Sequence, residues 1–450
     1  MTVTRDLGAL IKAYDIRGIV PDQLDEELAF QVGAAFAHQL GAEQIAVGHD
    51  MRVSSPGLAD ALARGVTSRG TDALAIGLAS TDLLYFASGS RNVPGAMITA
   101  SHNPPAYNGI KLCRPGAAPV GQDTGLREIR KLLETGLPRY DGAPGVLRYD
   151  DLLPEYSDYL HGLVDLGGRR LKIVVDAGNG MAGRTVPVVL KHPALEIVPL
   201  YFELDGTFPN HEANPMDPAN LADLQAAVRR EHADLGLAFD GDADRCFFVD
   251  ENGAAVSPNN IIGLVASREL ARHPGSAVVY NAITSRAVAE QITEHGGRPV
   301  RTRVGHSFIK QVMADHDAVF GGEHSGHYYF REFWRADSGM LAALHVLAAL
   351  TTTNQPFSKL TAEFSRYVAS GETNLRVDDI PAALERVEAD YLAAGATTDH
   401  LDGLTVSLPG GAWFNLRPSN TEPFLRLNVE AADASTMNKL RTEVLALVNA

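Results

Sequence analysis

Apolar residues along this chain fall in short unbroken runs, and three of these runs share the same sequel. QIAVGHDMR at 44–52, LKIVVDAGNGMAG at 171–183 and SAVVYNAITSRAVAEQI at 276–292 each end in small polar residues and lead into a helical pattern. Continuous apolar runs of this kind predict strands buried on both faces, in mixed or parallel sheets covered by helices. A spacing of about 100 residues or more is far too long for a solenoid repeat and fits three related α/β domains. The last segment has a different pattern, with a helix near 381–395, two strand-like runs around RPSNTEP at 417–423 and a closing helix STMNKLRTEVLALVN. It predicts a smaller C-terminal α+β domain. Boundaries are expected in the Gly/Pro-rich stretch TGLPRYDGAPG at 135–145, in the turn DENGAAVSPNN at 250–260, and after SRYVASGETN at 365–374. The expected domains are therefore 1–150, 151–252, 253–368 and 369–450. The longest apolar tract, MLAALHVLAALTTT from Met340, carries His345 and is far short of the roughly 20 residues that span a bilayer. It predicts a buried helix.

Four polar loops interrupt this core sequence: TASHNP at 99–104, DGDADR at 240–245, GGEHSGH at 321–327 and RPSNTEP at 417–423. Together they predict one shared cleft. In DGDADR, Asp240, Asp242 and Asp244 stand at alternate positions between the strand-like runs LGLAF and CFFVD. A tight loop there aims three carboxylates at one hard cation, for which Mg²⁺ is the expected ion. Glu251 completes the spacing of an EF-hand, but Arg245 stands where that loop needs glycine and the flanks are β-like. A solvated acidic turn is the plain alternative. Arg245 follows the ligands directly, where it either neutralises the oxygens of a phosphoryl group in transfer or simply partners the aspartates. Arg417, Ser419, Asn420 and Thr421 are an array of donors suited to a phosphate. Glu323, Ser325 and His327 suit the hydroxyl pairs of a sugar ring.

A chain of 450 residues exceeds one hydrophobic core and should divide into about three or four domains. Its formal charge of −16 argues against nucleic-acid or anionic-membrane partners, which want a basic face. Only Cys113 and Cys246 occur, too few for a disulfide framework and without CxxC spacing, so both are expected reduced. MTVTRDLGALIKAYD at the start lacks the pattern of a signal peptide. The expectation is a cytoplasmic protein, monomeric or homodimeric.

Read in order, KAYDIRG at 12–18, GHDMR at 48–52, TASHNP, DGDADR, VGH at 304–306, GGEHSGH and RPSNTEP resemble the motif series of the α-D-phosphohexomutase superfamily over nearly the whole chain. Within it, TASHNP, the sugar loop and RPSNTEPFLRLNVE most resemble the bacterial phosphomannomutases, including those that also accept glucose phosphates. The resemblance implies four domains around a central cleft, three related α/β domains with mixed sheets and a smaller C-terminal one. It implies Ser101 as carrier of the phosphoryl group, with Asp240, Asp242, Asp244 and a phosphoserine oxygen around Mg²⁺. Tyr14, Arg17, His102 and Lys111 would support the phosphoserine and the attacking hydroxyl, beside Arg245. Lys111 and His306 are the candidates for general acid/base work, for which the lysine needs its pKa lowered by cations and burial. Glu323, Ser325 and His327 would grip the sugar, and Arg417, Ser419, Asn420 and Thr421 the phosphate that is not reacting. The implied reaction interconverts mannose 6-phosphate and mannose 1-phosphate through a hexose 1,6-bisphosphate.

Two departures stand out. His49 occupies a place where the superfamily usually carries arginine, which leaves Asp50 and Arg52 as the matching residues of that motif. NAITS at 281–285, with Ile283 near the strand end, lacks a basic residue that several relatives carry, and Arg286 is the nearest substitute. Phosphoglucosamine mutase, a metal-dependent sugar phosphatase and a non-catalytic phosphosugar binder are the competing readings.

Overall fold

A computed structural model describes residues 6–419 and 424–449. Packing divides the chain into two compact units, Met1–Pro258 with Ser325–Leu360, and Asn259–His324 with Thr361–Ala450.

The first apolar run becomes the strand Gln44–His49, at the middle of a mixed sheet. Across that sheet lie Ile16–Ile19, Tyr107–Arg114, Gly95–Ile98, Gln44–His49, Asp72–Leu78 and Leu147–Tyr149. Gln44–His49 is parallel to both neighbours, whereas Tyr107–Arg114 runs antiparallel to Gly95–Ile98 and to Ile16–Ile19. Ile45, Ala46 and Val47 are buried, as unbroken apolar strands covered on both faces must be. The helix Glu26–Leu40 starts at Asp25, whose carboxylate accepts from Leu28 N–H at 2.9 Å, and stops at Gly41 in the left-handed region. It meets the helix Ser55–Thr67 so closely that a Cβ on Gly33 would lie 2.2 Å from the Leu62 carbonyl oxygen. Only glycine allows that approach.

The second run forms Leu171–Asp176, parallel to Leu195–Leu200 and to Leu235–Phe239. Leu235–Phe239 turns back antiparallel as Cys246–Asp250, with Phe239 opposite Cys246. The same unit contains the hairpin of Tyr328–Phe330 with Ala336–Asp337 and then the helix Gly339–Thr351, every residue of which is buried. This is the apolar tract read as an internal helix, with His345 stacked on Phe330 at 5.1 Å between ring centroids. Among the described residues, no helix is long and apolar enough to cross a membrane. Cys113 and Cys246 are buried and form no disulfide.

In the other unit, the third run forms Ala277–Asn281, parallel to Arg298–Thr302 and to Phe320–Gly322. The C-terminal segment builds an antiparallel sheet in which Leu404–Ser407, Trp413–Pro418 and Leu425–Ala431 are successive neighbours. The helices Ile380–Ala393 and Ala434–Val448 fall where the sequence pattern placed them and share a core with that sheet through Val387, Phe414, Leu427 and Val444.

One buried carboxylate joins three segments of the first unit. Asp82, in the helix Thr81–Arg91, accepts hydrogen bonds from Tyr156 Oη at 2.6 Å and Ser338 Oγ at 2.7 Å. Burial pushes its carboxyl up to about 6, although these donors pull the other way. The folded state therefore binds this proton more tightly than the unfolded chain, where an aspartate titrates near 3.9. Its stabilising contribution is full below about pH 4 and is lost as pH rises to about 6, roughly 3 kcal/mol in all. Thermal melts at steps from pH 4 to 7.5 should show a midpoint that declines more steeply for wild type than for Asp82→Asn. Parallel declines would place the titration elsewhere.

Candidate active site

Ser101 sits in the connection between Gly95–Ile98 and Tyr107–Arg114, 4% exposed and with φ of 50°, a left-handed conformation uncommon for a residue with a side chain. What holds the turn is Arg52. Its guanidinium donates to four main-chain carbonyls of this one loop: Ser101 at 2.8 Å, Asn103 at 2.6 Å, Pro104 at 2.9 Å and Tyr107 at 3.0 Å. Asp50 lies 3.2 Å from Arg52 Nε and accepts Ser55 Oγ at 2.5 Å, and Phe208 lies under the guanidinium with its ring centroid 5.1 Å away. The GHDMR motif thus orders the serine loop through its backbone, with Asp50 and Arg52 both buried.

The DGDADR loop meets the same serine. It is the turn of the hairpin Leu235–Phe239/Cys246–Asp250, and Gly241 is packed so tightly that a Cβ there would lie 2.4 Å from the Ser101 carbonyl oxygen. Ser101 Oγ donates to Asp240 Oδ2 at 2.7 Å and accepts from Arg245 Nη2 at 2.9 Å. Arg245 also donates from Nε to Asp240 at 2.9 Å and from Nη2 to His102 Nδ1. Asp242 Oδ2 accepts from Thr81 Oγ1 at 2.6 Å, Thr99 Oγ1 at 3.2 Å and Lys111 Nζ at 2.8 Å, while Lys111 also reaches Asp244 Oδ2 at 2.7 Å.

The acidic turn is neither solvated nor an EF-hand. All three aspartates are buried, and Glu251 accepts from Ser358 N–H at 3.0 Å instead of joining them. Ligand atoms of Asp240, Asp242 and Asp244 lie within 4.8 Å of one another, and Oδ1 of Asp242 and of Asp244 has no hydrogen-bond partner among the described residues. Buried carboxylate oxygens left in this state suit a hard divalent cation. Burial pushes the Asp240 carboxyl up, against the pull of Arg245, which is the mark of a site short of positive charge. Asp242 goes the other way, because the Lys111 ammonium outweighs its burial.

Lys111 departs from expectation. Burial does act to lower its pKa, but Asp242 and Asp244 overcome it and raise the ammonium above its usual value. Its neighbours are carboxylates where cations were expected. His102 shows the opposite effect: the Arg245 charge, burial and Arg17 hold it well below the usual histidine range, as a neutral imidazole. Arg17, on Ile16–Ile19, reaches the serine loop at Asn103 Oδ1 and pairs with Asp15, each at 2.5 Å. Tyr14 is half-buried in the turn just before that strand.

The remaining candidates divide between the units. In the first, Ser325 Oγ lies 3.0 Å from His327 Nδ1, and His327 Nε2 is 3.6 Å from Asp244 and 3.8 Å from Asp337. His327 therefore belongs beside the carboxylate loop as well as the sugar loop. In the second, Glu323 Oε1 accepts from Asn281 Nδ2 at 3.0 Å and from Gly305 N–H at 3.2 Å, next to His306 at the start of the helix His306–Asp315. Arg417, on Trp413–Pro418, is 5% exposed and leads into Ser419. Asn420 and Thr421 lie outside the described residues. Arg286 is not the substitute for the missing basic residue: it donates to the Gly411 carbonyl at 2.6 Å, pairs with Glu290 at 3.4 Å and lies over the Tyr367 ring. Thr81 and Asp337 join the site without having been marked by any motif, and Thr99, the first residue of TASHNP, joins it without having been assigned a role; a single threonine or aspartate outside a motif carries no signal that could have found it.

The site thus holds a buried serine hydroxyl between the Arg245 guanidinium and Asp240, one of three clustered aspartates, an arrangement whose chemistry suits phosphoryl transfer. Four family descriptions match in chain order: phosphoglucomutase/phosphomannomutase alpha/beta/alpha domain I at 8–139, domain II at 154–253, domain III at 257–367, and the C-terminal domain at 372–447. The chain belongs to the phosphoglucomutase/phosphomannomutase family, whose members are phosphoryl-transferring mutases. It is 43% identical over 450 residues to a phosphomannomutase of Escherichia coli, covering 97% of this chain and 98% of that one. It is 41% identical to phosphohexose mutases of Xanthomonas campestris, with 97% and 98% covered. Among solved structures, a phosphoglucomutase/phosphomannomutase family protein of Burkholderia thailandensis superposes with a TM-score of 0.89 at 32% identity, covering 98% of this chain and 97% of that one.

Proposed function

We propose that this protein is a phosphomannomutase that interconverts mannose 6-phosphate and mannose 1-phosphate, and that it also acts on glucose phosphates. Phosphoserine at Ser101 and a hexose 1,6-bisphosphate are the intermediates. The observation that carries the reading is the position of Ser101 Oγ, hydrogen-bonded to Asp240 at 2.7 Å and Arg245 at 2.9 Å at the edge of the aspartate cluster.

Asp240, Asp242 and Asp244, with an oxygen of the phosphoserine, would hold Mg²⁺, which supplies charge neutralisation for the phosphoryl group. Arg245 and Lys111 set positive charge beside the reacting oxygens, where it favours the more charged transition state. As the Ser101 O–P bond breaks and the sugar O–P bond forms, the serine oxygen becomes the leaving group, and Arg245 Nη2 already donates to it. Asp240 is the acceptor that orients the hydroxyl when the serine is free. The sugar hydroxyl must lose its proton, and Lys111 and His306 are the candidates for this general acid/base work. Glu323, Ser325 and His327 would bind the sugar hydroxyls, while Arg417, Ser419, Asn420 and Thr421 would hold the non-reacting phosphate. After the first transfer the bisphosphate turns around, and its other phosphate returns to Ser101. Tyr14, Arg17 and His102 support the serine loop.

³¹P NMR of the protein with Mg²⁺, mannose 1-phosphate and a trace of hexose 1,6-bisphosphate should show a 6-phosphate resonance growing in. A sample treated with EDTA should lose this conversion and regain it when Mg²⁺ is restored. Accumulation of inorganic phosphate alone would favour a phosphatase, and turnover confined to glucosamine phosphate would favour the phosphoglucosamine reaction.

A further inference from the structure

We infer that Arg417 and Arg426 form a paired-cation seat for the non-reacting phosphate and that Glu372 is the displaceable internal counter-ion of that seat. The inference rests on the phosphosugar reading above and extends it to two residues, Arg426 and Glu372, to which the sequence assigned no role.

Arg417 and Arg426 are directly opposed in the antiparallel ladder of Trp413–Pro418 and Leu425–Ala431. Like charges at directly opposed positions destabilise a strand pair, so the arrangement demands an anion. Glu372 supplies one. It precedes the strand Thr373–Leu375, which pairs with Leu425–Ala431, and its two oxygens divide between the arginines, Oε2 3.7 Å from Arg417 Nη2 and Oε1 3.5 Å from Arg426 Nη1. A second carboxylate, Asp402, lies 3.8 Å from Arg417 Nε. Among the described residues, Glu372 and Asp402 thus both lie in charge contact with these arginines before any phosphate arrives.

The two carboxylates are held differently. Asp402 accepts the Val304 N–H at 2.8 Å and is 10% exposed at its side chain, so it is anchored. Glu372 is 24% exposed at its side chain, and its separations from the arginines are those of charge contact without a short hydrogen bond. A dianionic phosphate has three acceptor oxygens and forms shorter, charge-assisted bonds to guanidinium groups. It therefore displaces Glu372 and leaves Asp402 in place. A mutase must also release this phosphate so that the bisphosphate can turn, and a competing carboxylate built into the seat limits the strength of the grip. Ground-state binding that is too tight gives no rate advantage.

Calorimetric titration of the full chain with inorganic phosphate, combined with steady-state kinetics on mannose 1-phosphate, tests this. Glu372→Gln keeps the shape and removes the charge, and should bind phosphate roughly fivefold or more tightly, with a matching fall in KM and no gain in kcat. Arg417→Gln and Arg426→Gln should weaken phosphate binding in both the wild-type and the Glu372→Gln backgrounds. Thermal midpoints confirm that each variant is folded, and Glu372→Asp, which keeps the charge, should bind phosphate as wild type does. If Glu372→Gln binds no more tightly than wild type while Arg417→Gln binds weakly, the counter-ion role is wrong and the phosphate grip stands. If neither arginine variant changes binding, the seat and the phosphate role of Arg417 are both wrong.

Discussion

Ser101→Ala is expected to lower kcat for mannose phosphate interconversion by at least about 10⁴-fold and to abolish covalent labelling by hexose bisphosphate, since removing a nucleophile typically costs that much or more. The variant should fold normally. Once Oγ is gone, Arg245 still pairs with Asp240 at 2.9 Å and with Asp244 at 3.9 Å, so no buried charge loses its partner. Alanine accepts the same left-handed turn at a cost close to that of serine. Turnover measured by ³¹P NMR and protein mass after incubation with bisphosphate give independent readouts. Activity within tenfold of wild type, or a phosphorylated mass on the alanine variant, would show that another group carries the phosphoryl. Loss of turnover with a large drop in thermal midpoint would mean that the local charge balance has been misjudged.

Arg52→Met should produce the second largest effect, by a different route. The substitution leaves the carbonyls of Ser101, Asn103, Pro104 and Tyr107 without their donor and strands a buried Asp50. Breaking a buried pair by removing one partner costs about 3–5 kcal/mol, so the melting transition of this part of the chain should fall by several degrees. The kinetic loss should reach roughly 10²-fold in kcat, because Ser101 is no longer held in one geometry against Asp240 and Arg245. The double variant Asp50→Asn/Arg52→Met separates the two effects. It removes the stranded charge and should recover part of the stability, while activity stays low because no donor gathers the loop. Recovery of both would show that Arg52 matters only for folding.

Contrasts between these residues explain what could be read before the fold was known. Strands such as Leu171–Asp176 and the hairpin that carries Asp240, Asp242 and Asp244 were legible because burial on both faces writes an unbroken apolar run, and a turn between two such runs stands out. The buried helix Gly339–Thr351 was legible for the same reason. The work of Arg52 was not, because it acts through main-chain carbonyls, which carry no residue identity for a motif to record. The raised pKa of Lys111 depends on Asp242 and Asp244, more than a hundred positions away, and their charge reverses what burial alone would do. Arg286 shows the limit of proximity in sequence: it follows the strand end where a cation was sought, yet its side chain is committed to Gly411 and Glu290. Glu372 and Arg426 become partners only through the strand register of the C-terminal sheet.

The left-handed backbone at Ser101, with φ of 50°, also narrows the chemistry open to descendants of this chain. Threonine offers the same hydroxyl and the same phosphate ester, and on paper is the mildest replacement. Its branched Cβ is poorly tolerated at positive φ, and the carbonyl beside it is already pinned by Arg52 and pressed against Gly241. A phosphothreonine version is therefore not one substitution away. It would need a new turn, a new clamp and a new partner surface together, so the carrier role proposed for Ser101 is tied to serine by backbone shape and not by reactivity.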